Sequence, residues 1–177
     1  MTATFKFGLK IFLTTGLIYA IFMAIAGFLT SGHFSLFKFL FHGFGFGSVM
    51  AASLVGLQVS RLKELGIREF SDKDLRPRIR DEFYSDIDST SFIEAIQNDK
   101  LLGKMKLAHN GNSIKLVSRA SGRSWGEVIE ISSTQETNGS HHYVVSNKPW
   151  FPLTIIDFGK GAENMLRVKS LLASPLD

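Results

Sequence analysis

Two ionisable side chains, Lys38 and His42, lie one helical turn apart in a segment that otherwise holds apolar or small residues. An ionisable group in such a segment is by default a functional candidate, because it is costly to place in hydrocarbon. His42 could relay protons, bind haem or form a hydrogen bond between helices, whereas Lys38 could extend its long side chain to a polar interface. Since neither apolar segment holds a second histidine for haem, we predict a structural polar contact for His42.

The polar residues elsewhere form no recognisable catalytic motif. His141 and His142 are adjacent, so on a strand they point to opposite faces and cannot share one metal ion. Glu127 and Glu130 also fall on opposite faces, which makes them poor candidates for a paired general acid and base. The absence of cysteine excludes disulfides, thiolate metal sites and a cysteine nucleophile. We therefore expect no enzymatic activity, no metal site and no cofactor.

The elements that carry Lys38 and His42 are two apolar segments, residues 11–29 and 34–57, in a front third without acidic residues. Nineteen uncharged residues span about 28 Å as a helix, which matches the hydrocarbon core of a bilayer. Because only residues 30–33 separate the segments, we predict an antiparallel transmembrane hairpin within residues 1–60.

A cleaved signal peptide is the alternative interpretation of the first segment. Basic residues precede it, and Ala24-Ile25-Ala26 resembles a cleavage site. The segment is nevertheless long for the apolar region of a signal peptide, and a second apolar segment follows at once. We predict that it is retained as a membrane helix.

Small residues recur at every fourth position in both apolar segments. They are Gly16, Ala20 and Ala24 in the first segment and Gly43, Gly47 and Ala51 in the second. A spacing of four places each set on one helix face, and small residues let helices approach closely in lipid. We predict that these residues form the seam of the hairpin or, alternatively, a seam between copies of the protein.

Residues 61–80 form a basic linker with seven Lys and Arg against four Asp and Glu. The positive-inside rule then predicts that both termini lie in the cytoplasm. We expect the membrane to be a bacterial inner (cytoplasmic) membrane. The same linker could contact anionic headgroups, although a role in topology alone also explains it. The basic residues considered for lipid or partner contact are Arg61, Lys63, Arg68, Arg76, Arg78 and Arg80.

Residues 81–177 are predicted to form a cytoplasmic α+β domain. A short helix over 91–96 follows N-cap candidates that begin at Asp88. Alternating patterns then predict five short strands, with Trp125 in the core and Asn-Gly turns between strands. The predicted strands are 104–108, 113–119, 125–132, 142–146 and 153–156, with turns at Asn110-Gly111, 120–123 and Asn138-Gly139. A final helix over 161–173 ends before Pro175 and is expected to cover the antiparallel meander.

Trp150 and Phe151 stand between Pro149 and Pro152. Aromatic side chains in such a turn could pack on the core, insert at a membrane interface or dock a partner. We therefore treat Trp150 and Phe151 as candidate lipid or partner contacts.

The charge balance argues against nucleic-acid binding. The net charge is +4, but after residue 60 there are 17 basic and 16 acidic residues. The excess therefore reflects the acid-free front third and does not form a basic surface for nucleic acid.

A membrane hairpin, a small antiparallel sheet and a C-terminal helix together resemble bacterial membrane proteins with a pleckstrin-homology-like domain. The resemblance concerns the order of elements from Ile11 onward and includes no residue motif. It implies scaffolding or regulation near lipid, without catalysis. It would also require residues 81–103 to supply further strands, although the pattern there predicts a helix.

The leading functional prediction is a non-enzymatic membrane protein that serves as a tethered interaction domain or as an accessory subunit of a larger complex. One alternative is a regulator that responds to anionic lipids through the basic linker. A second alternative is a membrane enzyme or electron-transfer component that uses His42. The expected partners are other membrane protein subunits, a second copy through the transmembrane helices, and membrane lipids.

Overall fold

The computed structural model describes residues 1–121, 124–137 and 139–173. The chain divides after Leu75 into two compact units. The first unit consists of two long helices and the segment that follows them. The second unit contains an antiparallel sheet with helices, so the predicted α+β class is confirmed.

The first unit is a helical hairpin made of α1 (Ala3–Ser31) and α2 (Leu36–Glu64). Each helix has 29 residues and is therefore about 43 Å long. The Thr2 side chain accepts a hydrogen bond from the Phe5 N–H and caps α1, which ends at Gly32 with a φ of 71°. Glycine suits this position because a left-handed conformation strains residues with a Cβ.

Both helices are long and apolar enough to cross a membrane. Only 17% and 6% of their most apolar windows are buried, so they do not resemble the core helices of a soluble protein. Large apolar side chains face outward along both helices. Side chains that are more than half exposed include Phe22, Ile25, Phe37, Phe41 and Phe44.

The second helix stops earlier than the sequence predicted. Beyond the apolar segment, the spacing of Leu62, Leu65, Ile67 and Phe70 predicts a short amphipathic extension that ends near Ser71. The structure differs, because α2 ends at Glu64 and Gly66 has a φ of 84°. A positive φ does not continue a right-handed helix, so the alternating apolar residues beyond Gly66 lie in turns and irregular structure.

The second unit is built on a five-stranded sheet in which all neighbours are antiparallel, in the order β1-β5-β4-β3-β2. The strands are β1 (Ile79–Ser85), β2 (Lys106–Asn110), β3 (Ser113–Val117), β4 (Glu127–Gln135) and β5 (His141–Pro149). The strands β2 to β5 form the predicted meander. The first strand of the domain pairs with the last one, which places β5 inside the sheet.

One strand was predicted in the wrong place. The segment 79–85 forms β1, although its sequence is largely polar. Its polar character comes in part from Arg80, Glu82 and Tyr84, which face solvent. The segment 153–156 was predicted to be a strand, but the chain turns there and the Thr154 N–H donates to the Phe151 carbonyl at 3.2 Å.

Two helices, α3 (Ser89–Asn98) and α4 (Lys160–Ala173), pack with the inner face of the sheet. The Asp88 carboxylate caps α3 as predicted, since it accepts hydrogen bonds from the N–H groups of Thr90 and Ser91. Phe92 of α3 meets Tyr143 of β5 with ring centroids 5.2 Å apart. A 3-10 turn over Leu102–Lys104 leads into β2. Fully buried side chains of this core include Phe92, Ile96, Leu116, Ile129, Tyr143, Val145 and Val168.

Three predicted features fall partly outside the described residues. They are the turn at 120–123, which contains Gly122 and Arg123, the turn at Asn138, and the helix stop at Pro175. The segment 81–103 supplies most of β1, all of α3 and the start of the 3-10 turn. In the part of the chain that the structure describes, the domain therefore has five strands, without the additional strands that the resemblance to pleckstrin-homology-like domains required.

Candidate functional site

The small-residue stripes of α1 and α2 lie against each other. Gly16, Ala20 and Gly47 are buried, and a Cβ on Gly16 would lie 2.5 Å from the Gly43 carbonyl oxygen. A Cβ on Gly43 would lie 3.1 Å from the Cβ of Ala20. Ala24 and Ala51 are half-buried. The backbones approach so closely that larger side chains at Gly16 or Gly47 would push the helices apart.

Lys38 and His42 line a cleft of about 350 Å³ beside the connection between α1 and α2. His33 lines the same cleft, which the sequence did not reveal because this residue belongs to the loop. The His42 ring packs edge-on against Tyr19, with centroids 6.3 Å apart. This contact gives His42 a packing role, while Lys38 and His33 are exposed.

The basic linker residues are all exposed. Arg61, Lys63 and Arg68 belong to the first unit, and Arg76, Arg78 and Arg80 belong to the second. Arg61 pairs with Glu64 at 2.5 Å, an exposed pair of little energetic value.

Four apolar side chains form an exposed patch on the second unit, which we call the aromatic patch: Trp125, Trp150, Phe151 and Leu153. They are 68%, 68%, 42% and 75% exposed, respectively. The rings of Trp125 and Phe151 have centroids 6.2 Å apart, and the Trp150 N–H donates to the Gly126 carbonyl at 2.9 Å. Trp125 was predicted to be a core residue, but β4 begins only at Glu127, so its side chain lies before the strand and outside the core.

The aromatic patch lies at the end of the sheet where the chain enters the domain. Ile79, the first residue of β1, pairs with Asn147 near the end of β5. Trp150 follows β5 directly, and Arg78 donates a hydrogen bond to the Pro152 carbonyl. A cation and an indole-rich surface therefore lie side by side at this end.

A buried polar network lies at the same end of the sheet, on its inner face. The Glu127 side chain is fully buried, and its two carboxyl oxygens accept hydrogen bonds from the Ser124 hydroxyl at 2.7 Å and the Asn147 amide at 2.9 Å. The Asn164 amide of α4 donates to the Asn147 side-chain oxygen at 3.0 Å. The network therefore connects β4, β5 and α4 through side chains that the sequence alone does not bring together.

Burial raises the pKa of Glu127 above its usual range. The hydrogen bonds from Ser124 and Asn147 act in the opposite direction, and the negative charge of Asp157 adds to the rise. The carboxyl is enclosed and each of its oxygens already accepts a hydrogen bond, so we interpret it as a structural group that connects the elements of the domain.

Asp157 organises the start of α4. Its carboxylate accepts hydrogen bonds from the N–H groups of Gly159 at 3.1 Å and Gly161 at 2.7 Å. A Cβ on Gly161 would lie 2.7 Å from the Asp157 oxygen and 3.0 Å from the Asn147 amide nitrogen. Glycine is therefore required for this close approach.

His142 of β5 has local partners on β1. The His142 ring stacks on Tyr84 with centroids 4.7 Å apart, and its Nε2 lies 3.2 Å from a Glu82 carboxylate oxygen. Within residues 1–121, 124–137 and 139–173, no group of three or more His, Asp or Glu side chains is arranged to hold a metal ion.

Comparisons with protein-family models, with curated proteins and with solved structures found no match.

Proposed function

We propose that this protein is a non-enzymatic membrane protein whose α+β domain binds a protein partner, as an accessory subunit of a larger membrane assembly. The helical hairpin would anchor the domain in a bacterial inner membrane with both termini in the cytoplasm. The acid-free hairpin and the basic residues that follow it support this orientation.

The aromatic patch is the observation that carries the proposal. Trp125 and Trp150 are the only two tryptophans of the chain, and both are more than two thirds exposed. Exposing large aromatic side chains to water is unfavourable, and a group of exposed apolar side chains, two of them in ring contact here, is typical of an interaction surface. Tryptophan is also enriched among the residues that contribute most to protein–protein binding.

The hairpin supplies a second surface for association. Its small-residue seam is used within the hairpin itself, because Gly16 and Gly47 pack against the opposite helix. The outward faces carry phenylalanine rings such as Phe22, Phe41 and Phe44. These rings can pack against the helices of other subunits. A helix that contacts only lipid needs no more than aliphatic side chains.

Site-specific photo-crosslinking tests the partner. A benzoylphenylalanine at Leu153 places the probe beside the intact tryptophans, and the same probe at Tyr84, which is 70% exposed on the outer face of the sheet, is the matched control. We expect one discrete protein adduct from position 153 in cells and none from position 84. Equal labelling at both positions, or no protein adduct at 153, would contradict the proposal.

Binding to anionic lipid is a second candidate function, favoured by Arg78, whose guanidinium lies beside the aromatic patch at Pro152. Indole rings and basic side chains together suit a membrane interface. Because both tryptophans lie in the patch, their fluorescence reports on it directly. In nanodiscs with brominated phosphatidylglycerol, this candidate predicts quenching that weakens with added salt and is small with brominated phosphatidylcholine.

A further inference from the structure

Four basic side chains of the second unit line one cleft of about 480 Å³. Lys100 follows α3, Lys104 ends the 3-10 turn, Arg119 follows β3, and Lys160 begins α4. Lys100 and Lys104 are four positions apart, whereas Arg119 and Lys160 are distant from them in sequence and are brought to the cleft by the fold. Leu101 and Met105 supply an apolar part of the wall.

Three of the four positive charges in the cleft have no carboxylate partner among the described residues, and the fourth, Lys160, has one. Among the described residues, no Asp or Glu lines the cleft. Lys160 pairs with Glu163 of its own helix at 2.7 Å. Within the part of the chain that the structure describes, Lys100, Lys104 and Arg119 form no ion pair. Like charges held at one site repel each other, and a bound anion would relieve this repulsion.

Serine hydroxyls add hydrogen-bonding capacity to the wall. Ser118 lines the cleft, and its Oγ accepts a hydrogen bond from the Glu127 N–H at 2.8 Å. Its own hydroxyl proton has no acceptor among the described residues, so it can be donated to a ligand. Ser124, also in the wall, is held in place by Glu127 of the buried polar network.

We propose that this cleft is a binding site for a phosphate-bearing anion. Lysine, arginine and serine are the side chains that commonly donate to phosphate oxygens, and charge-assisted hydrogen bonds to them are strong. The apolar wall suits an organic group attached to the phosphate. The site shares no residue with the aromatic patch and does not depend on the proposed protein partner.

Two sources carry this ligand chemistry, a soluble phosphate compound and a phospholipid headgroup. Isothermal titration of sodium pyrophosphate into the full chain in a neutral detergent probes the soluble source. Nanodiscs of phosphatidylcholine with and without phosphatidic acid probe the headgroup, with the thermal midpoint of the domain as the readout. Saturable binding of pyrophosphate, or a rise in the midpoint that needs the anionic lipid, supports the site.

Charge-matched variants test whether binding belongs to the cleft. Lys104→Gln with Arg119→Gln removes two lining charges, whereas Lys106→Gln with Lys169→Gln removes two exposed charges outside the cleft. We expect the first pair to weaken binding at least about tenfold and the second less than about twofold. Equal losses would assign the effect to net charge and overturn the proposal.

A neutral substitution separates geometry from charge. Ser118→Ala removes the free hydroxyl and is expected to weaken pyrophosphate binding by roughly threefold to tenfold. Ser132→Ala, on the exposed face of β4, is the control and leaves binding unchanged. If wild-type protein binds neither pyrophosphate nor phosphatidic acid, the proposal is wrong, whatever the crosslinking at Leu153 shows.

Discussion

The pKa values of two buried carboxyl groups of the domain are shifted in opposite directions. Burial tends to raise the pKa of Asp99, but hydrogen bonds from the Leu102 and Leu101 N–H groups and from Arg167 outweigh it, so its pKa is lowered. The Arg167 Nε lies 2.6 Å from the Asp99 carboxylate. In contrast, burial dominates at Glu127 and its pKa is raised.

Glu127→Gln should remove a pH dependence of stability. Above the ordinary glutamate pKa of 4.5, the unfolded state loses its proton first. The native state then binds more protons, and stability falls as the pH rises through the native pKa. We expect thermal unfolding, followed by tryptophan fluorescence, to show that the wild type loses stability relative to the variant as the pH rises above the ordinary glutamate pKa of 4.5.

The control for this experiment is Glu136→Gln, because Glu136 is exposed. It should follow the wild-type pH profile. A Glu127→Gln variant with the same profile would show that the carboxyl at 127 is ionised as easily in the folded as in the unfolded protein.

Asp99→Asn should show the opposite sign. The stability that this carboxylate contributes is present above the ordinary aspartate pKa of 3.8 and is lost as the pH falls through the lowered native value. At pH 7 we expect a loss of about 1–3 kcal/mol in urea unfolding, because the variant weakens three hydrogen bonds to a buried acceptor. The loss should shrink below about pH 4, and the exposed Glu94→Gln should cost less than about 0.5 kcal/mol.

The sequence identified several important residues but not their surroundings. Trp150 and Phe151 were recognised from their prolines, whereas Trp125 was assigned to the core because its strand was predicted to begin two residues early. Glu127 was dismissed as a strand residue without an acidic partner. Its burial depends on Asn147, twenty residues away, and no local pattern contains that contact.

At the scale of elements, the sequence predicted the helices and turns that are determined by residues close together in the chain. The hairpin follows from segment length and the absence of acidic residues, and the β2–β3 turn follows from Asn110-Gly111. β1 was missed because its inward face contains a charged residue, Asp81, between the apolar Ile79 and Phe83. The segment therefore does not show the alternation of apolar and polar residues that predicts a strand. Its pairing with β5 joins residues about sixty positions apart. The basic cleft was missed for the same reason.

The close approach of α1 and α2 gives a direct test of the hairpin. Since the chain has no cysteine, Ala20→Cys with Gly43→Cys introduces the only two thiols, at positions whose Cβ atoms would lie 3.1 Å apart. This distance is slightly below the usual disulfide range. We expect nearly complete oxidation within one chain, detected by loss of thiol labelling and by gel mobility.

The matched control pairs Ala20→Cys with Gly45→Cys, because a Cβ at Gly45 has open space around it. This pair should stay reduced within the chain. If the Ala20–Gly43 pair instead yields disulfide-linked dimers, the seam joins two copies of the protein and the hairpin does not use it.

At the scale of the whole molecule, the proposed orientation makes a labelling prediction. His33→Cys in the α1–α2 connection should react with a membrane-impermeant maleimide in intact cells. Lys169→Cys in α4 should react only after the cells are permeabilised. Labelling of position 169 in intact cells would place the domain outside and reverse the orientation.

The position of β5 between β1 and β4 has a consequence for biosynthesis. The sheet cannot close until the ribosome has completed β5, and α4 is made later still. From residue 65, which follows the end of α2, to Ala173, the last residue of α4, the chain has 109 residues. Translation of this stretch takes on the order of ten seconds. In the proposed topology, the nascent domain would during that interval be an open chain held by an inserted anchor, and it would therefore complete its folding at the bilayer surface.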